Sequence, residues 1–289
     1  MKILLDGKKA SQDLLDEIKL ETKKLDITPG LCVILVGDDP ASAVYVKNKE
    51  KACEKVGFYH KTYRLMADTT QDHLLDVIKE VKEDCKINGL IVQLPLPKHI
   101  NEELIINSIP VDKDVDCFNP FNVGSLITKK KGDAPSAVAP CTPAGVMDLL
   151  DRYGVEIAGK RAVIVGRSNI VGKPLALMLL NRDATVTVCH SRTKDLASVV
   201  READIVVAAV GSPKLVTADM VKPDAVVIDV GVNRLSDGKL CGDVDFDSVK
   251  DKVYAITPVP GGVGPMTIAV LLKNTLSMAK RQRNCEQTF

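Results

Sequence analysis

The chain has 289 residues, 45% of them hydrophobic, which is enough for two domains with ordinary cores. Its 39 basic and 38 acidic residues leave a net charge of +1, so no electrostatic footprint points to nucleic acid or to an anionic membrane, and neither is an expected partner. The eight cysteines (32, 53, 85, 117, 141, 189, 241 and 285) are dispersed, with no Cys-x-x-Cys pair and no histidine at ligand spacing; they are expected to be buried thiols in a reducing compartment, with no metal site.

The start, MKILLDGKKA, is too briefly apolar for a signal peptide, and no apolar run approaches a membrane span, which makes the cytoplasm the default location. LCVILVG (31–37) reads as a buried strand, followed by a helix through SAVYVKNKEKACEKVGF (42–58). Asp39-Pro40 supplies that helix with an N-cap and a proline at its first position, and Gly57 supplies the stop. KTYRLM (61–66) is a second strand, a helix is expected from about 70 to 84, and GLIVQLPLP (89–97) is a third strand. Pro110 to Pro143, rich in Pro, Asn, Gly and Asp, reads as a loop that contains the domain junction, with KKKGDAPS as its most polar part. Strands resume at RAVIVG (161–166), ATVTVCH (184–190), DIVVAAVG (204–211) and AVVIDVG (225–231), and a long apolar-periodic segment follows Pro265. This alternation is the α/β pattern with parallel sheets, an N-terminal α/β domain followed by a Rossmann-type one.

Within the 42–58 helix, about 100° per residue brings Tyr45, Lys49, Ala52 and Val56 onto one face, with Val46 and Cys53 beside them. Lys47, Lys51 and Lys55 fall on the opposite side with Glu50 and Glu54, as a solvated stripe. Lys49 alone sits among apolar residues. It is either a lysine snorkelling past the edge of a core or a functional amine.

RAVIVGRSNIVGKPLALMLL places Gly166 at a strand end and Gly172 near a helix start, a layout that brings a phosphate to backbone N–H groups. The usual G-x-G-x-x-G spacing is missing, so a plain strand-to-helix turn is equally open. The next strand ends in VTVCHSRT, with Ser191 and Arg192 where NAD-preferring folds place an acid. A hydroxyl and a guanidinium suit a 2′-phosphate, and Arg167 could reach the same group, so the chemistry favours NADP. Gly211, Gly231 and Gly242 stand at later strand ends and permit either close approach to a cofactor or tight turns. PVPGGVGP, three glycines and three prolines in eight residues, makes a rigid wall before the last helix.

Taken together, YVKNK, VQLPLP, DKDVD, PCTPAG, GRSNIVGKP, CHSRT, GDV and PVPGGVGPMT resemble, in order and spacing, the bifunctional methylenetetrahydrofolate dehydrogenase/methenyltetrahydrofolate cyclohydrolase family, from about Asp6 to the final helix. The resemblance implies a cytoplasmic, NADP-using homodimer of one-carbon metabolism that supplies purine biosynthesis. Its folate-binding catalytic domain would comprise 1–142 and 266–289 and its NADP domain 143–265, with the tetrahydrofolate derivative in a cleft between them. It implies oxidation of methylenetetrahydrofolate to the methenyl cation, then hydrolysis to 10-formyltetrahydrofolate. By motif, Tyr45 would stack on the folate, Lys49 would be the catalytic base or acid, Gln93 would tune that lysine, and Asp116 would bind the amino and ring N–H edge of the pterin. NADP would meet Gly166, Arg167, Ser168, Ser191, Arg192 and the backbone at Val232, while Gly262 and Pro265 would line the folate site.

These roles are chemically reasonable, because a carboxylate reads two adjacent N–H donors and a lysine in apolar surroundings is suited to proton exchange. Each residue also has a plainer role: Asp116 as a turn carboxylate, Gln93 as a strand-end cap, Tyr45 as core. Three positions depart from the family pattern. Cys117 stands where glycine is usual, Asn119-Pro120 replaces His-Pro, and Ser125 replaces an Arg or Lys. If the glycine serves a positive φ, Cys117 is strained, which bears on pterin fit and on the balance of the two activities. A monofunctional NAD(P)-dependent dehydrogenase would be expected to have lost Lys49 or Gln93. A non-catalytic folate- or nucleotide-binding protein would have lost the Tyr45, Lys49, Gln93 and Asp116 set.

Overall fold

The computed structural model describes residues 1–128 and 138–286, so KKKGDAPS (129–136) lies outside the described residues. In chain order the elements are β1 (Ile3–Leu4), α1 (Gly7–Thr22), β2 (Gly30–Val36), α2 (Pro40–Val56), β3 (Tyr59–Leu65), α3 (Gln71–Glu83), β4 (Gly89–Val92), α4 (Glu102–Ser108), α5 (Pro120–Thr128) and α6 (Cys141–Arg152). They continue with β5 (Arg161–Val165), α7 (Gly172–Leu180), β6 (Thr185–Cys189), α8 (Leu196–Arg201), β7 (Ile205–Ala208), β8 (Val226–Asp229), β9 (Asn233–Arg234), β10 (Leu240–Cys241), α9 (Phe246–Val249), β11 (Ala255–Ile256) and α10 (Val263–Glu286). The described residues form two compact units, one of 1–11, 126–128 and 141–267, the other of 12–125, 138–140 and 268–286. This division differs from the expected one at the N-terminus. There β1 pairs in parallel with β11, Ile3 opposite Ala255, and so joins the later sheet.

The second unit holds a parallel sheet in the order β3-β2-β4. All seven residues of β2 are buried, as a run of apolar residues in a central parallel strand should be. α3 starts at Thr70, whose hydroxyl accepts from His73 N at 3.2 Å, and it buries Leu74, Val77, Ile78 and Val81 at helical spacing. These pack with Cys32, Ile34, Val36, Leu90, Val92 and Ile105 into one core.

The first unit holds a six-stranded parallel sheet in the order β1-β11-β8-β7-β5-β6. Val163, Val165, Val206, Ala208, Val227 and Ile256 on its strands pack against Val200, Met220 and Val249. Several elements run against expectation. β4 ends at Val92, so Gln93 to Pro97 have already left the sheet. A helix, α5, lies inside the segment read as loop, where Pro and Asn are helix-start residues rather than breakers. β9 and β10 form a short antiparallel hairpin too brief to show a period. Five cysteines (32, 53, 117, 141 and 189) are buried as expected, but Cys85 is exposed and Cys241 half-buried, and none of these seven is in a disulfide. Burial pushes the Cys32 and Cys53 thiols up to about 12, which leaves them unreactive. Among the described residues no helix is long and apolar enough to cross a membrane, and no cluster of three or more His, Cys, Asp or Glu could hold a metal ion.

Candidate active site

Helix α2 is fixed at both ends by its own residues. The Asp39 carboxylate accepts from Ser42 N at 2.7 Å, Pro40 occupies the first turn, and Gly57 closes the helix at φ 81°. Val46, Ala52, Cys53 and Val56 are buried, while Lys47, Lys51 and Lys55 are exposed. Two residues depart from the expected faces. Tyr45 is 53% exposed rather than packed, and Glu50 is no solvated stripe residue but accepts from Thr62 Oγ1 at 2.8 Å and Arg64 at 3.0 Å on β3. A phenol ring with half its surface open, one turn before Lys49, is placed to receive a flat ligand.

Lys49 is half-buried and its Nζ donates to Gln93 Oε1 at 2.9 Å. Gln93 is the first residue past β4, held there by its own N–H donating to Ile34 O at 2.8 Å. Its Nε2 donates to Leu94 O at 2.8 Å. That second bond fixes the amide orientation, because a flipped amide would set N–H against the Lys49 Nζ–H donor and oxygen against the Leu94 carbonyl. A central strand end and a helix face thus bring two residues 44 positions apart into contact.

The DKDVD segment runs beside β4, with Leu90 N donating to Lys113 O and Asp114 bridged to Leu90. Asp114, fully buried, is its anchor: it accepts from Phe118 N, Asn119 N and Asn122 Nδ2. Asn119 caps α5 by accepting from Phe121 N at 3.0 Å and donates to Ile109 O at 3.1 Å, so this departure from the family pattern has a local structural task. Cys117 sits at φ 58° with no exposed surface, a left-handed backbone that glycine would adopt without strain. Burial, with Asp114 and Asp116 adding to it, pushes its thiol upward. Asp116 itself is half-buried. Ser125 donates to Asn122 O at 2.6 Å. Tyr45, Lys49, Gln93 and Asp116 therefore all belong to one unit.

In the six-stranded unit the turn after β5 follows the dinucleotide layout. Gly166 has φ 128°, and a Cβ there would stand 2.2 Å from Ala209 O, so only glycine is accommodated. Ser168 Oγ accepts from Val171 N at 3.1 Å and Gly172 N at 3.4 Å, shaping the turn into α7. After β6, His190 N donates to Thr193 Oγ1 and Arg192 N to His190 Nδ1, a self-contained turn that leaves the Ser191 and Arg192 side chains exposed. Arg167 is exposed too, and among the described residues neither arginine pairs with a carboxylate. Val232 is 54% exposed. Gly262 is buried by tight backbone packing, and both it and Pro265 belong to this unit, apart from the unit that carries Lys49.

Sequence reasoning missed two buried carboxylates here. Asp229 accepts from Gly231 N, Asp243 N and Val244 N at 2.9–3.0 Å, and Asp243 accepts from Val210 N, Gly211 N, Ser212 N and Asn233 Nδ2 at 2.7–2.9 Å. The signal was present in the glycines next to each acid, Gly231 and Gly242, read only as turn or cofactor glycines. Burial pushes the Asp229 carboxyl up to about 6, with the backbone N–H groups opposing the rise.

Comparison with known proteins matches two family models, one to each half of the chain. Residues 5–116 match the family model described as tetrahydrofolate dehydrogenase/cyclohydrolase, catalytic domain, and residues 140–283 match the NAD(P)-binding domain of the same description. The sequence is 56% identical over 281 residues to the bifunctional protein FolD of Moorella thermoacetica, covering 96% of this chain and 99% of that one. It is 54% identical over 285 residues to the bifunctional protein FolD of Magnetococcus marinus, with 97% and 98% covered. The fold is similar to a crystal structure of the bifunctional FolD methylenetetrahydrofolate dehydrogenase/cyclohydrolase of Campylobacter jejuni, with TM-score 0.93, 51% identity, and 96% of this chain and 99% of that one covered. It is also similar to the Trypanosoma brucei enzyme complexed with NADP cofactor and inhibitor, with TM-score 0.92, 41% identity and coverage of 97% and 98%.

The raised Asp229 carboxyl gives a prediction with a definite sign. As pH falls from about 6 toward the ordinary 3.8, the native chain takes up a proton that the unfolded chain does not, so this group's contribution to stability grows; it is lost as pH rises through 6. In a carbon-detected NMR titration the Asp229 carboxyl should move near pH 6. A midpoint near 3.8 would contradict the burial argument.

Proposed function

The chain belongs to the tetrahydrofolate dehydrogenase/cyclohydrolase family, and from that premise we propose how its residues divide the work. The enzyme oxidises methylenetetrahydrofolate to methenyltetrahydrofolate with NADP and hydrolyses that product to 10-formyltetrahydrofolate. The observation that carries the assignment of roles is the Lys49 Nζ to Gln93 Oε1 hydrogen bond of 2.9 Å, with Tyr45 one turn before on the same helix. A monofunctional dehydrogenase would not need this pair, and here it is intact.

The residues of the six-stranded unit fit NADP. The Gly166 turn admits close backbone approach ahead of α7, and exposed Ser191, Arg192 and Arg167 offer a hydroxyl and two guanidinium groups without a competing carboxylate. Bound NADP supplies the hydride acceptor for the first reaction. The rest of the binding set is Ser168 and the backbone at Val232, with Gly262 and Pro265 assigned to the folate. The unit containing 12–125 is the folate-binding catalytic domain and the unit containing 141–267 the NADP domain.

In the catalytic domain Tyr45 holds the folate by its exposed ring face, and Asp116 accepts from the paired N–H donors of the pterin edge. The oxidation needs alignment and a nitrogen-stabilised cation, not a base. Hydrolysis differs. Water adds to the methenyl carbon while the Lys49 Nζ, as a neutral amine, takes one of its protons. The adduct's hydroxyl then loses its proton to water as the formyl C=O forms, and the proton on Nζ passes to N5 as the N5–carbon bond breaks, leaving the formyl group on N10. Gln93 keeps Nζ aimed at the site. The enzyme acts as a homodimer in the cytoplasm, whose reducing conditions suit the seven described cysteines, none of them in a disulfide.

Two measurements check these roles. Lys49→Met should abolish cyclohydrolase activity, a loss of about 10²- to 10⁴-fold, and lower dehydrogenase activity less, so that the methenyl cation accumulates in an absorbance assay. Lys47→Met, on the exposed side, should be nearly silent; hydrolysis surviving in Lys49→Met would move the base elsewhere. Removing the charged contact in Arg192→Ala should lower kcat/KM for NADP by about 10- to 100-fold with little change for NAD. Equal use of both cofactors by the unaltered enzyme would contradict the preference.

A further inference from the structure

Neither half-reaction uses Asp229 or Asp243, although both are almost wholly buried at the C-terminal edge of the six-stranded sheet. Their hydrogen-bond partners are N–H donors, not cations. One Asp243 oxygen, Oδ2, takes Val210 N at 2.7 Å and Gly211 N at 2.9 Å; the other, Oδ1, takes Ser212 N at 2.8 Å and Asn233 Nδ2 at 2.9 Å. Asp229 Oδ1 in turn takes Asp243 N at 2.9 Å and Gly231 N at 3.0 Å, and its Oδ2 takes Val244 N at 2.9 Å. The acids fill the space where side chains would otherwise be: a Cβ on Gly231 would lie 2.2 Å from the Asp243 carboxylate, and one on Gly242 1.8 Å from Asp229 Oδ2. We propose that Asp243, held by Asp229, is a positioning residue for NADP, setting the backbone of the loop after β7, which adjoins the Gly166 turn, and of the loop after β8.

The reach of this clamp follows from its partners. Ala209, whose carbonyl lies against Gly166, leads directly into Val210, Gly211 and Ser212, and all three of these N–H groups end on Asp243. Asn233, the fourth donor, follows the exposed Val232, whose backbone is assigned above to the cofactor. Asp243 has no exposed surface, so it acts on a ligand only through the loops it holds. An ionised carboxylate accepts from all four donors at once, whereas an amide turns its own N–H toward two of them, and the loops must then separate.

The inference rests on the reading that this unit binds NADP, and calorimetry with NADP separates the two. In Asp243→Asn the Kd for NADP should rise about 10- to 100-fold, while kcat at saturating NADP and the KM for methylenetetrahydrofolate stay near wild type. Asn233→Ala, a milder change that keeps the three backbone donors, should raise Kd about 3- to 10-fold, the effect of one lost hydrogen bond, and serves if Asp243→Asn does not fold. The control is Asp204→Asn, at the other end of β7, where the carboxylate accepts from Arg161 N and Lys222 Nζ; it should lower the melting temperature and leave Kd unchanged. Unchanged Kd in Asp243→Asn, or in Asn233→Ala where only that variant folds, overturns the proposal, as does an equal rise in Asp204→Asn. A wild-type protein that does not bind NADP overturns the cofactor reading and this inference with it.

Discussion

In the proposed mechanism the second reaction turns on one hydrogen bond, from the Lys49 Nζ to the Gln93 amide oxygen. A lysine side chain has four rotatable bonds, and only a fixed acceptor holds its nitrogen at one point. Gln93 is such an acceptor because both ends of its amide are committed and its backbone still hydrogen-bonds to the central strand. α2 is held in turn by its caps, by Val46, Cys53 and Val56 in the core, and by Glu50 bonded across to β3. The packing of the three-stranded sheet thereby becomes a positional constraint on one nitrogen atom.

In both units residues proposed for the chemistry stand where parallel strands end. Gln93 follows β4, the Gly166 turn follows β5, Ser191 and Arg192 follow β6, and the loops tied by Asp243 follow β7 and β8. All strand carboxyl ends of a parallel sheet point the same way, so residues distant in sequence emerge side by side with backbone N–H groups free to bind a ligand or be bound by a side chain. The two solutions differ in what holds them. Lys49 is held by another side chain, whereas the loops after β7 and β8 are held by buried carboxylates that gather N–H donors.

What could be read from the sequence was what local chemistry decides. Asp39, Pro40 and Gly57 mark the ends of α2 through contacts within a few residues, and helical periodicity alone singled out Lys49. The same periodicity could not tell the exposed Tyr45 from a core residue, because exposure at a helix edge depends on what packs over it. α5 was hidden for a related reason: its Asn119 cap is oriented by the buried Asp114, a tertiary contact inside a segment whose composition reads as loop. Asp229 and Asp243 were missed despite the glycines near them, because their partners come from three separate loops. The strain anticipated at Cys117 if its φ were positive corresponds to its observed left-handed backbone.

The central claim, that Gln93 acts on hydrolysis only by aiming Lys49, is tested most directly by a double-mutant cycle on the cyclohydrolase rate with Gln93→Ala, Lys49→Met and the two combined. The account predicts that the double variant loses no more than Lys49→Met alone, because an aiming residue has nothing left to aim. Losses that add, with the double variant slower than Lys49→Met by the full factor of Gln93→Ala, would contradict it.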